Sequence, residues 1–92
     1  MKVVNEVMAY IEEHPFSHST KILVQAMKSL CTGDQGPPLW SVALRLDDTN
    51  YNRYCRLAWI MREPDFDGAD GSSLARAHAK LRELGFYDED VS

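Results

Sequence analysis

Residues 51–61 read Tyr-Asn-Arg-Tyr-Cys-Arg-Leu-Ala-Trp-Ile-Met, and most of these side chains are apolar. In an α-helix, where successive residues turn by about 100°, they cover all but a narrow strip of the circumference. Asn52, Arg56 and Glu63 share that polar strip, and Trp59 and Ile60 lie at its borders. The opposite face is apolar and consists of Tyr51, Tyr54, Cys55, Leu57, Ala58 and Met61. We therefore expect neighbours to enclose this helix, either at the centre of a small helical domain or against another chain.

The rest of the chain shows helical periodicity that prolines, glycines and capping residues interrupt. Pro15 ends the first predicted helix, Ser17 or Ser19 caps the second, Gly33 ends the second and Pro64 ends the fourth. There is no alternating β pattern of useful length. The sequence thus predicts an all-α fold, a compact four- to five-helix bundle-like single domain with helices at approximately residues 2–13, 18–32, 38–47, 49–63 and 72–84.

Apolar stripes on these helices predict the core. The stripes of the first, second and last helices are Val3, Val4, Val7, Met8 and Ile11; Leu23, Ala26, Met27, Leu30 and Cys31; and Leu74, Ala77, His78, Leu81 and Leu84. In the third helix, Trp40, Val42, Ala43, Leu44 and Leu46 form one broad arc. Capping residues at 47–49 predict a break before the fourth helix, although one long bent helix over 39–62 is the alternative. Gly85 predicts a C-terminal stop from which Phe86 folds back toward Leu81.

Composition and charge indicate the domain boundaries and the cellular compartment that we expect. The 92 residues carry a net charge of −4, and the whole excess of acid lies from Asp47 onward. Residues 1–87 are predicted to form the domain, and residues 88–92 an acidic, frayed tail. Cys31 and Cys55 fall on apolar faces, which favours free thiols in a reducing cytoplasm over a disulfide, although a bond between these two cysteines stays possible. No apolar run is long enough for a membrane span, so a soluble protein without a membrane role is expected.

Residues with metal-binding or catalytic chemistry do not form a recognisable motif. His14, His18, Cys31 and Cys55 have the atoms of a zinc site but lack its close ligand pairs. The acidic loop 65–71 is spaced wrongly for a calcium loop, because alanine and arginine stand where ligands belong. His78 borders an apolar stripe and is better explained as a half-buried histidine than as a general base. We therefore assign no catalytic, cofactor-binding or metal-binding residue and expect no enzyme activity and no cofactor.

A nucleic-acid role has some support from the small helical fold. However, the connection between the second and third helices is longer than that of a helix-turn-helix, and the third helix carries only Arg45 as a cation. Arg53 and Arg56 do not extend it into a clear stripe, and the exposed acid opposes phosphate binding. Nucleic-acid binding is therefore the alternative hypothesis, and a small enzyme or metal protein with a site at a subunit interface is the second alternative.

The function favoured by the sequence is protein–protein interaction. The chain has more apolar helix surface than a solitary domain obviously requires, and exposed tryptophans and arginines are typical of interfaces. A small acidic intracellular protein of this kind would be an adaptor, an inhibitor or an accessory factor, and it could associate with itself. The candidate interaction residues are Trp40, Trp59, Ile60, Arg53 and Arg56.

Overall fold

The computed structural model describes residues 1–33, 35–66 and 72–86, and this part of the chain is helical without strands. It contains α1 (Lys2–Glu13), α2 (His18–Thr32), α3 (Leu39–Arg45), α4 (Asp48–Ala58), a short 3-10 turn (Ile60–Arg62) and α5 (Ser72–Glu83). The predicted all-α fold is therefore confirmed. The predictions for most of the acidic loop, residues 67–71, and for the tail, residues 88–92, lie outside the described residues.

The ends of α1 and α2 follow from local chemistry. His14 leaves helical geometry immediately before Pro15, as expected from the missing amide hydrogen of proline and its clash with the preceding residue. The hydroxyl of Ser17, rather than that of Ser19, caps α2 by accepting a 3.0 Å hydrogen bond from the amide of Thr20. Gly33 ends α2 in the left-handed conformation, at φ 79°.

A break separates α3 from α4, so the alternative of one long helix is wrong. Leu46 is extended, and the carboxylate of Asp47 caps α4 by accepting a 3.2 Å hydrogen bond from the amide of Asn50. The last helix ends as predicted. Gly85 is left-handed, and the amide of Phe86 donates a 3.1 Å hydrogen bond to the carbonyl of Leu81, which places the half-buried Phe86 against the core.

The core is centred on α2, which contacts each of the other four helices. The predicted α1 stripe is buried in full, and α2 adds more buried residues than its stripe foresaw, because it has neighbours on several sides. Leu84, predicted in the α5 stripe, is instead 42% exposed just beyond the end of that helix. The main cluster of buried side chains consists of Val3, Val4, Val7, Met8, Ile11, Leu23, Val24, Ala26, Met27, Leu57, Ile60, Ala77 and Leu81.

Helix α4, which the sequence predicts to be enclosed, is not enclosed by neighbours among the described residues. Only Asn50 and Leu57 of α4 are buried, because α1 and α2 pack against one side of it. The helix also ends at Ala58, earlier than predicted, and the following residues form a 3-10 turn in which each residue advances by about 120° instead of 100°. The turn directs Ile60 into the core and leaves Trp59 outside.

Candidate protein-interaction surface

Six large apolar side chains of α3, α4 and the following 3-10 turn face solvent. We call this set the α3/α4 surface: Leu39, Trp40, Leu44, Tyr51, Trp59 and Met61. The two tryptophans are the only ones in the chain, and they are 59% and 67% exposed at positions 40 and 59. Exposure of both indoles is unusual because large aromatic side chains are highly buried on average in soluble proteins.

The part of this surface on α3 arises because the helix is short. Over its seven residues, only Val42 is buried. Leu39 and Ala43 are one turn apart, as are Trp40 and Leu44, so these four exposed residues form one continuous apolar stripe. The guanidinium of Arg45 lies 6.0 Å from the ring centre of Trp40 and borders this stripe.

The part on α4 is a second stripe with helical spacing. Tyr51, Cys55, Ala58 and Trp59 share one face of the helix, and this face points away from α1. A groove of about 170 Å³ lies between α2, α4 and the segment before α3, and its lining includes Leu30, Pro37 and Ala58.

Arg53 and Arg56, both candidate interaction residues, lie on the opposite side of α4 and bind carboxylates of this chain. Arg56 donates hydrogen bonds to Glu6 at 3.0 Å and to Glu63 at 3.1 Å. Arg53 donates to Asn50 at 2.8 Å, lies 3.8 Å from Glu6, and stacks over the ring of Tyr10.

These contacts fix α4 to α1 and pair both arginines with carboxylates, although the buried Nε of Arg53 lies 3.8 Å from Glu6 and donates no hydrogen bond there. Desolvation lowers the pKa of Arg56, but the hydrogen bonds and negative charges of Glu63 and Glu6 outweigh it and raise the pKa overall. Arg56 is therefore a permanently charged partner of two carboxylates. Neither arginine presents a free positive charge to a ligand.

Ile60, the fifth candidate, is 5% exposed and belongs to the core, so it does not contribute to the surface. The sequence did not predict four residues of the α3/α4 surface, because helical periodicity placed most of them on buried faces. These residues are Leu39, Leu44, Tyr51 and Met61. The short predicted length of the third helix could have indicated their exposure, because a helix of so few turns cannot bury a broad apolar arc against one neighbouring helix.

The residues with reactive side chains remain apart from one another. Both cysteines are free and half-buried: Cys31 donates a weak hydrogen bond to the carbonyl of Leu74 at 3.4 Å, and burial raises the pKa of its thiol. The ring of His14 packs against Tyr10 at the end of α1, whereas His78 is half-buried in α5. Among residues 1–33, 35–66 and 72–86, no three histidine, cysteine or acidic side chains gather closely enough to hold a metal ion.

Comparisons with family models, with curated proteins and with solved structures give no match to this chain. Within the described residues, none of the helices combines the length and the apolar character needed to cross a membrane.

Proposed function

We propose that this protein acts by binding another protein through the α3/α4 surface, as an adaptor, inhibitor or accessory factor of the cytoplasm. The observation that carries the proposal is the exposure of both tryptophans on the apolar stripes of two consecutive helices. Tryptophan dominates the energetics of many protein interfaces, and a partner that covers both indoles would remove an unfavourable contact with water. The two free thiols suit a reducing compartment.

The size of the surface supports this proposal. With side-chain areas of roughly 150–250 Å² for large apolar residues, the exposed fractions of the six members give a combined area on the order of 600–1,000 Å². A standard protein interface buries about 800 Å² on each partner, and the largest apolar patch of a typical monomer is about 300–600 Å². The α3/α4 surface is thus of the size that a specific partner would cover.

The charges near α4 argue against the nucleic-acid alternative. Phosphate binding needs cations that are free to replace counterions, whereas Arg53 and Arg56 are already held by Glu6 and Glu63. The excess of acid in the second half of the chain repels a phosphate backbone further. We therefore keep protein binding as the proposed function.

Site-specific photo-crosslinking provides the test. A photoreactive amino acid replaces Leu39 or Met61, which are exposed members of the surface, and the control replaces the exposed Asn5 on α1. After irradiation in the source cells, we expect the first two positions to form a covalent adduct with the same protein and the control position to form none. Mass spectrometry of the adduct identifies the partner.

Purified partner then allows the affinity to be measured. The double variant Trp40→Ala with Trp59→Ala should weaken binding by roughly 30-fold or more, which is the size of an interface hot spot. Asn52→Ala, an exposed polar change on α4, should leave the affinity unchanged. Equal affinities of the double variant and the wild-type chain, with unchanged helical circular dichroism, would contradict the proposal.

A further inference from the structure

Each exposed tryptophan of the α3/α4 surface has an exposed arginine beside it. The guanidinium of Arg45 lies 6.0 Å from the ring centre of Trp40. At the other tryptophan, the amide of Arg62 donates a 2.9 Å hydrogen bond to the carbonyl of Trp59 and so closes the 3-10 turn. Residues three apart in such a turn are nearly eclipsed, so Arg62 lies on the same face as Trp59. The same pair of residue types therefore occurs twice, once on α3 and once after α4.

Both guanidiniums lack a carboxylate partner among the described residues. This distinguishes Arg45 and Arg62 from the two arginines on the α1 side of α4, which carboxylates of this chain already hold. The net charge of the chain is −4, so the cationic character of this surface does not follow from an overall excess of basic residues. The hydrogen-bond donors of both guanidiniums are available to a ligand.

The acidic residues that are nearest in sequence to these arginines face other groups. The carboxylate of Asp47 accepts a hydrogen bond from the backbone and caps α4. Asp48 lines a depression together with Glu6, on the side of α4 that packs against α1. Glu63 accepts a hydrogen bond from Arg56. The positive charges beside the two indoles are therefore not balanced by these carboxylates.

The chemistry of the two pairs defines the ligand that would satisfy them. An indole favours an apolar side chain, whereas a guanidinium presents a planar fork of donors that matches a carboxylate. Tryptophan and arginine are also among the residues most enriched at interface hot spots. A segment that fits both pairs must combine apolar side chains with neighbouring carboxylates.

We propose that the partner protein binds the α3/α4 surface with an acidic segment. Its aspartate or glutamate side chains pair with Arg45 and Arg62, while its apolar side chains cover Trp40 and Trp59. This inference rests on the proposed function, and it specifies the chemistry of the partner.

Peptide display tests this inference before the partner is known. A phage library of random peptides is first depleted on the variant Trp40→Ala with Trp59→Ala and is then selected on the immobilised wild-type chain, so that the retained peptides need the indoles. We expect aspartate and glutamate, next to apolar residues, to be enriched relative to the unselected library. One enriched peptide is then synthesised, and its affinity is measured by isothermal titration calorimetry.

Charge reversal tests the role of the arginines. Arg45→Glu with Arg62→Glu should raise the dissociation constant of this peptide by roughly 10-fold or more, because two attractive pairs become repulsive. The matched control is Lys21→Glu with Arg82→Glu, which changes the net charge equally at exposed positions of α2 and α5 and should have a far smaller effect.

A second peptide carries lysine in place of each acid. It should reverse the preference and bind the chain with Arg45→Glu and Arg62→Glu more tightly than the wild-type chain. A purely structural role of the two arginines would weaken both peptides alike and would not produce this reversal.

Two results would overturn this inference and leave the proposed function standing. One is a set of peptides that need the indoles but are not enriched in acid. The other is equal affinity of an acidic peptide for the charge-reversed and wild-type chains. Failure of the proposed function has a different signature, because no selected peptide would then depend on the indoles.

Anionic membranes are the competing ligand for exposed tryptophans beside arginines. Vesicles of phosphatidylserine are therefore tested in parallel by co-sedimentation. We expect the wild-type chain to stay in solution. Its retention on the vesicles, lost in the variant Arg45→Glu with Arg62→Glu, would overturn the inference, because the arginines would then serve a lipid surface.

Discussion

Two neighbouring residues of the 3-10 turn should respond very differently to truncation. Ile60 is 5% exposed and belongs to the core cluster, whereas Met61, the next residue, is 77% exposed. Their side chains are similar in size, and both become alanine. Comparing the two alanine variants therefore shows which side of this turn packs against the domain. Because the residues are adjacent, the two variants have almost the same backbone surroundings.

The expected magnitudes follow from burial. Truncating a fully buried isoleucine to alanine costs about 2–5 kcal/mol, from lost transfer energy and from the cavity left behind. A change at an exposed site usually stays within about 0.5 kcal/mol. A domain of this length has a total stability of about 5–14 kcal/mol, so Ile60→Ala removes a large fraction of it. Its melting temperature should fall by roughly 10 °C or more, at about 4–8 °C per kcal/mol.

Urea denaturation followed by far-ultraviolet circular dichroism provides the measurement. We expect a clear loss of unfolding free energy for Ile60→Ala and almost none for Met61→Ala. Equal losses for the two variants, or a larger loss for Met61→Ala, would refute the account of the turn. Such a result would instead support the helix predicted over residues 49–63, in which Ile60 lies at the border of the polar strip.

Substitutions at three further features test the local structure, each by the same urea titration. Ser17→Ala removes the side chain that caps α2 and should lower the free energy of unfolding by about 1 kcal/mol. Ser19→Ala should lower it by less than about 0.5 kcal/mol. The opposite order would show that Ser17 does not cap α2. Gly33→Ala should lower the free energy of unfolding by about 1–2 kcal/mol because of its φ of 79° alone, since the space around a Cβ there is open. A smaller loss for Gly33→Asn would support this cause, whereas no loss for Gly33→Ala would exclude it. Glu6→Gln should lower the free energy of unfolding by about 0.5–1 kcal/mol, after allowance for the 43% exposure of its side chain. This loss should shrink at high salt. A loss independent of salt would contradict an electrostatic role for the contacts of Glu6 with Arg53 and Arg56.

Local sequence signals were sufficient for the helices and for most of their ends, but not for the end of α4 at Ala58. The α1 stripe, the stop at Gly33, the capped break at Asp47 and the turn at Gly85 each depend on residues within a few positions of one another. Such short-range rules act through backbone geometry and nearby hydrogen bonds, and the structure follows them.

The burial of α4 could not be predicted in the same way, because it depends on where the other helices lie. Periodicity identified an apolar face around Tyr51 and Met61 but could not tell whether anything in this chain covers it. The ion pairs from Glu6 to Arg53 and Arg56 are equally non-local, and they determine which side of α4 faces α1. The 3-10 turn then separated two residues that were both predicted at the borders of the polar strip, since it leaves Trp59 exposed and buries Ile60.

The most direct test of the central claim is acrylamide quenching of tryptophan fluorescence, since the two indoles of the chain both belong to the α3/α4 surface. The claim predicts that, in dilute folded protein, acrylamide quenches both almost as efficiently as in the unfolded chain, and that added partner protects them and shifts their emission to the blue. Indoles that are already protected in a dilute, monomeric, folded sample would contradict it.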